Sequence, residues 1–465
     1  MNGAAPSGWV PVLNRSAGPL YRVIADAIAA DIATGHLPDG ARLPPQRALA
    51  DRLGIDFTTV SRAYAEAARR GLVRSRVGQG TFVIATAPST GRDTPDAAPV
   101  DTSMNLPPRL QDADIRRRLW SGFEALEKAG GLDLLQRYQE PGGGPADRMA
   151  GAGWLAPRLP NVGRDRLLVC PGTQAALLAT VTTLAQPGDT ILTEALTYPG
   201  FRSLAGQFHF RLAGVAMDDE GLLPEALDEA CRRERPKALY CTPTLHNPTT
   251  ATMSLARRGA IVAVARRHAL PIIEDDAYGA LPRQPLPPLA ALAPELGYHV
   301  AGLSKTLSPA LRIAYLVVPD ARVAQRVAIG IRAASGMASP LTAAAATRWI
   351  QDGTAAAVLE AIRSETAERR ALVARHLPAT NAACHPESFH LWLHLPPGWA
   401  RGIFAARLHA AGIGVVMSDA FALTDPPEAV RIGLGAPGPR EALDRGLERI
   451  VDLLDQPPAL SAMVV

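Results

Sequence analysis

The chain has 465 residues, 47% of them hydrophobic and 20% charged. That composition excludes a disordered or fibrous polymer and allows about three structural units at roughly 150 residues each. The net charge of +4 equals that of residues 1–84 alone, where ten arginines face six acidic residues. Such an excess permits a polyanionic partner for that segment without requiring one. The longest uncharged stretch, Leu167 to Gly188, is broken by Pro171-Gly172 and Pro187-Gly188, well short of the ~20 apolar residues of a membrane span. The N-terminus lacks the basic and apolar regions of a secretion signal. The four cysteines are scattered with no C-x-x-C pair, which reads as reduced thiols with no disulfide framework and no zinc site. A soluble cytoplasmic protein is expected.

Residues 1–84 show a helix–helix–helix–hairpin pattern. Leu20, Ile24, Ile28 and Ile32 recur every four residues, with Gly35 at the stop. A short helix follows Pro44-Pro45, turns Leu49 and Leu53 inward and closes at Gly54. A third is predicted over about 58–70, with Asp56 able to cap it and Gly71 after it. Runs 72–77 and 81–84 flank Gly78-Gln79-Gly80, a strand–turn–strand signal. At ~100° per residue, Val60, Ala63, Tyr64 and Ala67 share one face of the third helix. Thr58, Arg62, Ala65 and Arg69 share the other. Hydroxyls and guanidiniums on an open face suit phosphates and base edges.

Residues 85–103 hold three prolines, and Val100 is their one large apolar residue. They cannot bury enough surface to offset the entropy of ordering and read as a flexible linker. Beyond them, apolar strand-like runs alternate with helical stretches, as in a mainly parallel α/β sheet. Strands are predicted at 166–170, 238–241, 271–274, 298–303 and 312–318. The large part of this region is expected over about 130–325. A smaller α+β part, about 330–455, has strands at 390–395 and 429–434.

Only three lysines occur, Lys128, Lys237 and Lys305, so chemistry needing a primary amine has three candidates. Lys305 follows a predicted strand in Ser304-Lys305-Thr306-Leu307-Ser308-Pro309, seven residues before Arg312. Another strand ends at Glu274-Asp275-Asp276 and leads to Tyr278, placing carboxylates at the strand end where α/β folds hold ligands. A third runs into Pro171-Gly172-Thr173-Gln174 and a helix, a turn that offers backbone N–H groups and a helix dipole to a phosphate. An amine, a carboxylate, a phenol, an arginine and a phosphate cradle are together the parts that hold pyridoxal phosphate. The lysine forms the Schiff base, and the carboxylate keeps the pyridine nitrogen protonated. Each part alone is commonplace; their order and spacing make the pattern specific.

Two resemblances follow from these motifs. The stretch from PLYRVIADAIAADIATGHLPDGARLPPQRALADRLGID through TTVSRAYAEAARRGLV to VGQGTFV resembles the GntR-type winged helix. It implies DNA binding by Arg42, Arg47, Thr58, Thr59 and Arg62, with Gly80 permitting the wing turn. Asp56-Phe57 replace the Ser-Arg pair common in that family, and an aspartate there repels phosphate. PGTQAAL, TYPG, TPTLHNPTT, EDDAYG, SKTLSPALR and VRIGLG resemble the fold-type I aminotransferases over residues 104–455. A GntR-type module ahead of such a domain is the MocR arrangement of bacterial regulators.

The second resemblance implies that Lys305 is the Schiff-base lysine and Asp275 the partner of the pyridine nitrogen. Tyr278 and Asn247 would meet the ring hydroxyl, and Tyr198 would stack on the ring. Gly172, Thr173, Gln174, Ser304 and Arg312 would hold the phosphate, and Tyr138 would reach the phosphate of the neighbouring subunit. Arg431 would pair with an effector carboxylate. Arg202 is either a second carboxylate partner or an ordinary surface arginine. Three features depart from the pattern. Gly302 stands where a hydroxyl is common, Thr250 replaces a glycine, and Asp275 is chosen over Asp276 only by its spacing to Tyr278.

The function expected is a homodimeric regulator that binds operator DNA and senses pyridoxal phosphate or an amino compound. The alternative is a working aminotransferase with an accessory DNA-binding domain.

Overall fold

The computed structural model describes residues 9–11, 19–33, 36–37, 41–69, 72–76, 80–83, 100–136, 138–377 and 382–456. The chain divides into two compact units, Met1–Ala97 and Ala98–Val465. The helix stops Gly35 and Gly71, the wing-turn residues Gly78-Gln79, the side chain of Arg69 and the linker as far as residue 99 lie outside the described residues.

The first unit has helices Leu20–Ala33, Gln46–Leu53 and Phe57–Arg69, then an antiparallel pair, Val73–Arg76 with Gly80–Val83. Ile24, Ile28, Leu49, Val60, Ala63, Tyr64 and Ala67 form its core, the inward face expected from the periodicity. The Tyr64 hydroxyl donates to the Pro44 carbonyl at 2.8 Å, fixing the third helix to the segment ahead of the second. Gly54 takes φ 62° at the helix stop, a left-handed conformation that glycine adopts without penalty.

The second unit is built on a seven-stranded sheet. Its strand order is Leu167–Cys170, Ala314–Val317, Gly297–Gly302, Ile272–Asp275, Ala238–Cys241, Thr190–Glu194, Arg211–Val215. Ala314–Val317 runs antiparallel to both neighbours, and the other pairings are parallel. Most of these strands are buried along their full length, as expected where apolar clusters cover both faces. Thr190–Glu194 and Arg211–Val215 were not expected from the sequence. The carboxyl ends at Cys170, Cys241, Asp275 and Gly302 lie along one edge of the sheet, and the chemistry-bearing turns follow them.

A second sheet carries the smaller part, in antiparallel order Ala382–Ala383, His390–His394, Ala429–Gly433, Val416–Met417. The structure corrects the end of the expected linker. Val100–Asp101 is a strand paired in parallel with Ile413–Gly414, and Val100 packs in the core of this smaller part. Burial of the linker's one large apolar residue supplies the stabilisation that its composition lacks.

Candidate cofactor and effector site

Lys305 sits just past the strand Gly297–Gly302, and its Nζ donates to the Asn105 carbonyl. Burial, reinforced by the positive charge of Arg431, brings its ammonium down to about 8, with Asp275 acting in the opposite direction. Asp275 ends the strand Ile272–Asp275. Its Oδ2 accepts from the Tyr240 hydroxyl at 2.9 Å, while its Oδ1 is buried without a hydrogen-bond partner. Burial pushes this carboxyl up to about 6 against the pull of Tyr240. An unpaired buried carboxylate oxygen costs free energy unless something completes it. Asp276 takes a different role: its Oδ2 pairs with His299 at 2.9 Å and with Arg158 at 3.4 Å. Only Asp275 is left open to a ligand.

Tyr278 accepts from Asn105 Nδ2 at 2.8 Å and is buried. Asn247 Oδ1 accepts from Arg431 Nη1 at 3.0 Å, which leaves the Asn247 amide nitrogen as the donor of that side chain. The second Arg431 nitrogen, Nη2, donates to the Ser103 carbonyl. Its Nε is buried without a partner, and the guanidinium lies over the Phe421 ring at 5.3 Å. Burial holds the pKa of Arg431 below the ordinary arginine value.

Of the residues expected to hold a phosphate, Gly172 and Arg312 meet at the turn after Leu167–Cys170. Gly172 has φ 87°, and a Cβ there would stand 2.8 Å from Arg312 Nη2; the turn and the guanidinium approach closely only because residue 172 has no side chain. Thr173 and Gln174 open the helix Thr173–Leu184, whose N–H groups are unpaired donors at its first turn. Gly302 proves complementary to Thr173: a Cβ on Gly302 would lie 2.3 Å from Thr173 Oγ1. The threonine hydroxyl fills the space that a side chain at 302 would need. Gln174 Nε2 donates to the Tyr198 hydroxyl at 3.2 Å, which places Tyr198 beside the cradle at the start of the helix Pro199–Gln207. Ser304 lies half-buried next to Lys305.

Two expected residues stand apart. Arg202 donates through Nη1 to the carbonyls of Asp419 at 2.8 Å and Ala420 at 2.6 Å. Its role here is to tie the helix Pro199–Gln207 to the Ser418–Ala420 turn rather than to await a carboxylate. Tyr138 is 95% exposed and makes no part of this cluster.

Three further residues belong to the site and were not expected: Tyr240, Ser103 and Asn105. Tyr240 is the lone aromatic in an aliphatic strand, and the parallel register Ile273↔Tyr240 puts it on the Asp275 face. That aromatic was the available signal. Ser103 and Asn105 reach Arg431, Lys305 and Tyr278 across more than 170 positions of chain, and local sequence carries no signal for such contacts.

In the first unit, Arg42, Arg47, Thr58 and Arg62 are exposed and Thr59 is half-buried. Arg62 lies over the Tyr21 ring at 4.4 Å and Arg47 over Phe57 at 5.7 Å. A Cβ on Gly80 would stand 2.8 Å from Arg42 Nε, and its φ of 115° also favours glycine. Asp56 caps the third helix: its Oδ1 accepts from the Thr58 N–H at 2.7 Å and from the Thr58 hydroxyl. These bonds hold its carboxyl below the usual aspartate value.

Comparison with known proteins agrees with this geometry. Residues 121–450 match the family described as aminotransferase class I and II. The chain belongs to that family. Residues 20–83 match bacterial regulatory proteins of the gntR family. An uncharacterized HTH-type transcriptional regulator of Bacillus subtilis, YdeF, is 30% identical over 97% of both chains. The probable rhizopine catabolism regulatory protein MocR of Rhizobium meliloti is 29% identical, covering 79% of this chain and 80% of that one. The vitamin B6 salvage pathway transcriptional repressor PtsJ of Salmonella typhimurium is 28% identical, covering 90% and 94%. Among solved structures, the α-aminoadipate aminotransferase LysN of Thermus thermophilus superposes with a TM-score of 0.69 at 23% identity, covering 79% and 94%. That last likeness concerns fold.

The protein is therefore a GntR-type helix-turn-helix transcriptional regulator carrying a fold-type I aminotransferase-like domain, in the MocR arrangement. Pyridoxal phosphate is the cofactor of that domain. The residues present fit it: an unpaired buried carboxylate oxygen on Asp275, an amine tuned to about 8 on Lys305, and a cradle at Gly172 that a Cβ would fill. Among the described residues, no helix is long and apolar enough to cross a membrane.

Proposed function

We propose that this regulator reads pyridoxal phosphate together with an amino compound and transmits the result to operator DNA. The observation that carries this reading is the convergence of Lys305, Asp275 and Arg431 on one buried site, with polar atoms of the last two left unpaired. When bound, the cofactor supplies an electrophilic carbon and an electron-withdrawing ring.

Lys305 is the covalent attachment point, its amine partly neutral near physiological pH. Asp275 would keep a proton on the ring nitrogen. Tyr278 and Asn247 would hold the ring hydroxyl, and Tyr198 would pack against the ring. Gly172, Thr173, Gln174, Ser304 and Arg312 would hold the phosphate, with Thr173 providing the hydroxyl that position 302 lacks. Arg431 takes the effector's carboxylate. Arg202 is left out of the effector site because its guanidinium is engaged with backbone. The protein acts as a homodimer in the cytoplasm, with Tyr138 serving the neighbouring subunit's phosphate. Residues 1–84 bind DNA through Arg42, Arg47, Thr58, Thr59 and Arg62, and Gly80 makes room for Arg42. A dimer presents two such modules to two half-sites.

A second reading, an active aminotransferase, draws on the same tuned Lys305 and buried Arg431. Titrating the cofactor-loaded protein with a panel of amino acids and amines, followed by its visible spectrum, separates the two. A shifted cofactor band without release of keto product is the expected outcome. Stoichiometric conversion to pyridoxamine phosphate and keto acid establishes the enzyme reading instead.

A further inference from the structure

The segment that leaves the linker runs through the middle of the site. Val100 and Thr102 donate from their backbone N–H groups to the carbonyls of Gly412 at 2.7 Å and Gly414 at 3.0 Å. Gly433 N–H donates back to the Thr102 carbonyl at 2.7 Å, and the Thr102 hydroxyl donates to the Gly414 carbonyl at 2.5 Å. Beyond that anchorage come three contacts with the site itself. The Ser103 carbonyl accepts from Arg431, the Asn105 carbonyl accepts from Lys305, and the Asn105 side-chain amide donates to the Tyr278 hydroxyl. Asn105 is 8% exposed, and its Oδ1 is buried without a partner.

We propose that Ser103–Asn105 is a strap that competes with the effector, and that Asn105 sets how readily it yields. The inference rests on the reading of Arg431 as the effector's carboxylate partner. A carbonyl oxygen on Arg431 Nη2 occupies one of the positions that a bidentate carboxylate takes on a guanidinium. A carboxylate bearing full charge makes the stronger hydrogen bond, so it displaces the Ser103 carbonyl while an uncharged group does not. The effector is therefore an amino compound that carries a carboxylate. The strap also lies close in sequence to the covalent connection with the DNA-binding unit, so its displacement acts on that connection.

The test uses the full-length, cofactor-loaded protein with L-alanine as probe, and with ethylamine, which lacks the carboxylate. The readouts are the cofactor's visible band and hydrogen–deuterium exchange over residues 100–105. Saturating L-alanine should accelerate exchange in that segment, and ethylamine should not. Asn105→Ala removes the tether to Tyr278 and leaves both backbone carbonyls in place. It should tighten L-alanine binding about fivefold, the factor that one net hydrogen bond is worth. Thr102→Val loosens the same strap away from the cofactor and should act in the same direction, which covers the case where Asn105→Ala fails to hold cofactor.

Unchanged or weaker L-alanine binding in the variant that retains cofactor overturns the proposal, as does exchange over 100–105 that L-alanine leaves unaltered. A band that L-alanine does not move in any of the proteins overturns it too. Failure to load cofactor at all in the wild type removes the broader functional reading instead.

Discussion

Lys305 and Asp275 are tuned by the same cause in opposite senses. Burial disfavours the charged form of each, lowering the lysine to about 8 and raising the aspartate to about 6. Covalent capture of the cofactor requires a neutral amine on Lys305 and an ionised carboxylate on Asp275. Between those two values the rate of capture by the apoprotein should climb close to tenfold per pH unit, then level off above about 8. An unperturbed lysine would keep the rate rising to about 10, so a stopped-flow profile that continues upward past that plateau contradicts the tuning. Below about 6, protonation of Asp275 should weaken cofactor binding as well as slow it. Asp275→Asn removes that charge at every pH, and absorbance titration should show affinity lower by ~10–100-fold, the range for a hydrogen bond to a charged partner.

The third helix, Phe57–Arg69, offers a test at the level of one element. Its buried face fixes the helix through Val60, Ala63, Tyr64 and Ala67, while Arg62 projects over Tyr21, a stacking that limits the rotamers of the guanidinium before DNA arrives. Arg62→Ala should weaken binding to DNA and reduce the slope of log K against log salt by ~0.9 if one phosphate contact is lost. The cofactor spectrum should stay unchanged. A DNA affinity unaltered across salt concentrations places the contact surface elsewhere.

This helix was legible in the sequence because its period separates core from surface residues. The strand Ala238–Cys241 was legible because its apolar run is continuous, as buried parallel strands are. Thr190–Glu194 broke that rule. Its threonines and glutamate interrupt the apolar run, yet all five residues are buried. Thr193 bonds Thr197 at 2.7 Å, and Glu194 accepts from the Thr242 N–H at 2.7 Å. Arg211–Val215 is an edge strand, partly exposed and without a continuous apolar signature. At the site, the residues that follow strand ends were visible as motifs. Asn105 and Ser103 were not, because their partners lie far along the chain and the turn that presents them resembles any polar loop.

For the whole molecule, regulation is a coupling free energy between two units that share a covalent connection, and such coupling is reciprocal. If an amino acid bound at Arg431 changes the affinity for DNA by some factor, DNA must change the affinity for that amino acid by the same factor. Couplings of this kind typically span ~5–150-fold. The measurement needs a duplex selected from a random pool for tight binding. The amino acid is titrated against the cofactor band with and without saturating duplex, and the duplex against fluorescence anisotropy with and without saturating amino acid. The two ratios should agree and differ from one. Arg431→Ala should bring both to one while leaving cofactor loading and DNA binding in place, since the ligand then contributes no difference between the states. Ratios of one in the unaltered protein mean that the aminotransferase-like domain and the winged helix are joined without being coupled. The cofactor site would then serve chemistry of its own, and the second reading would take precedence.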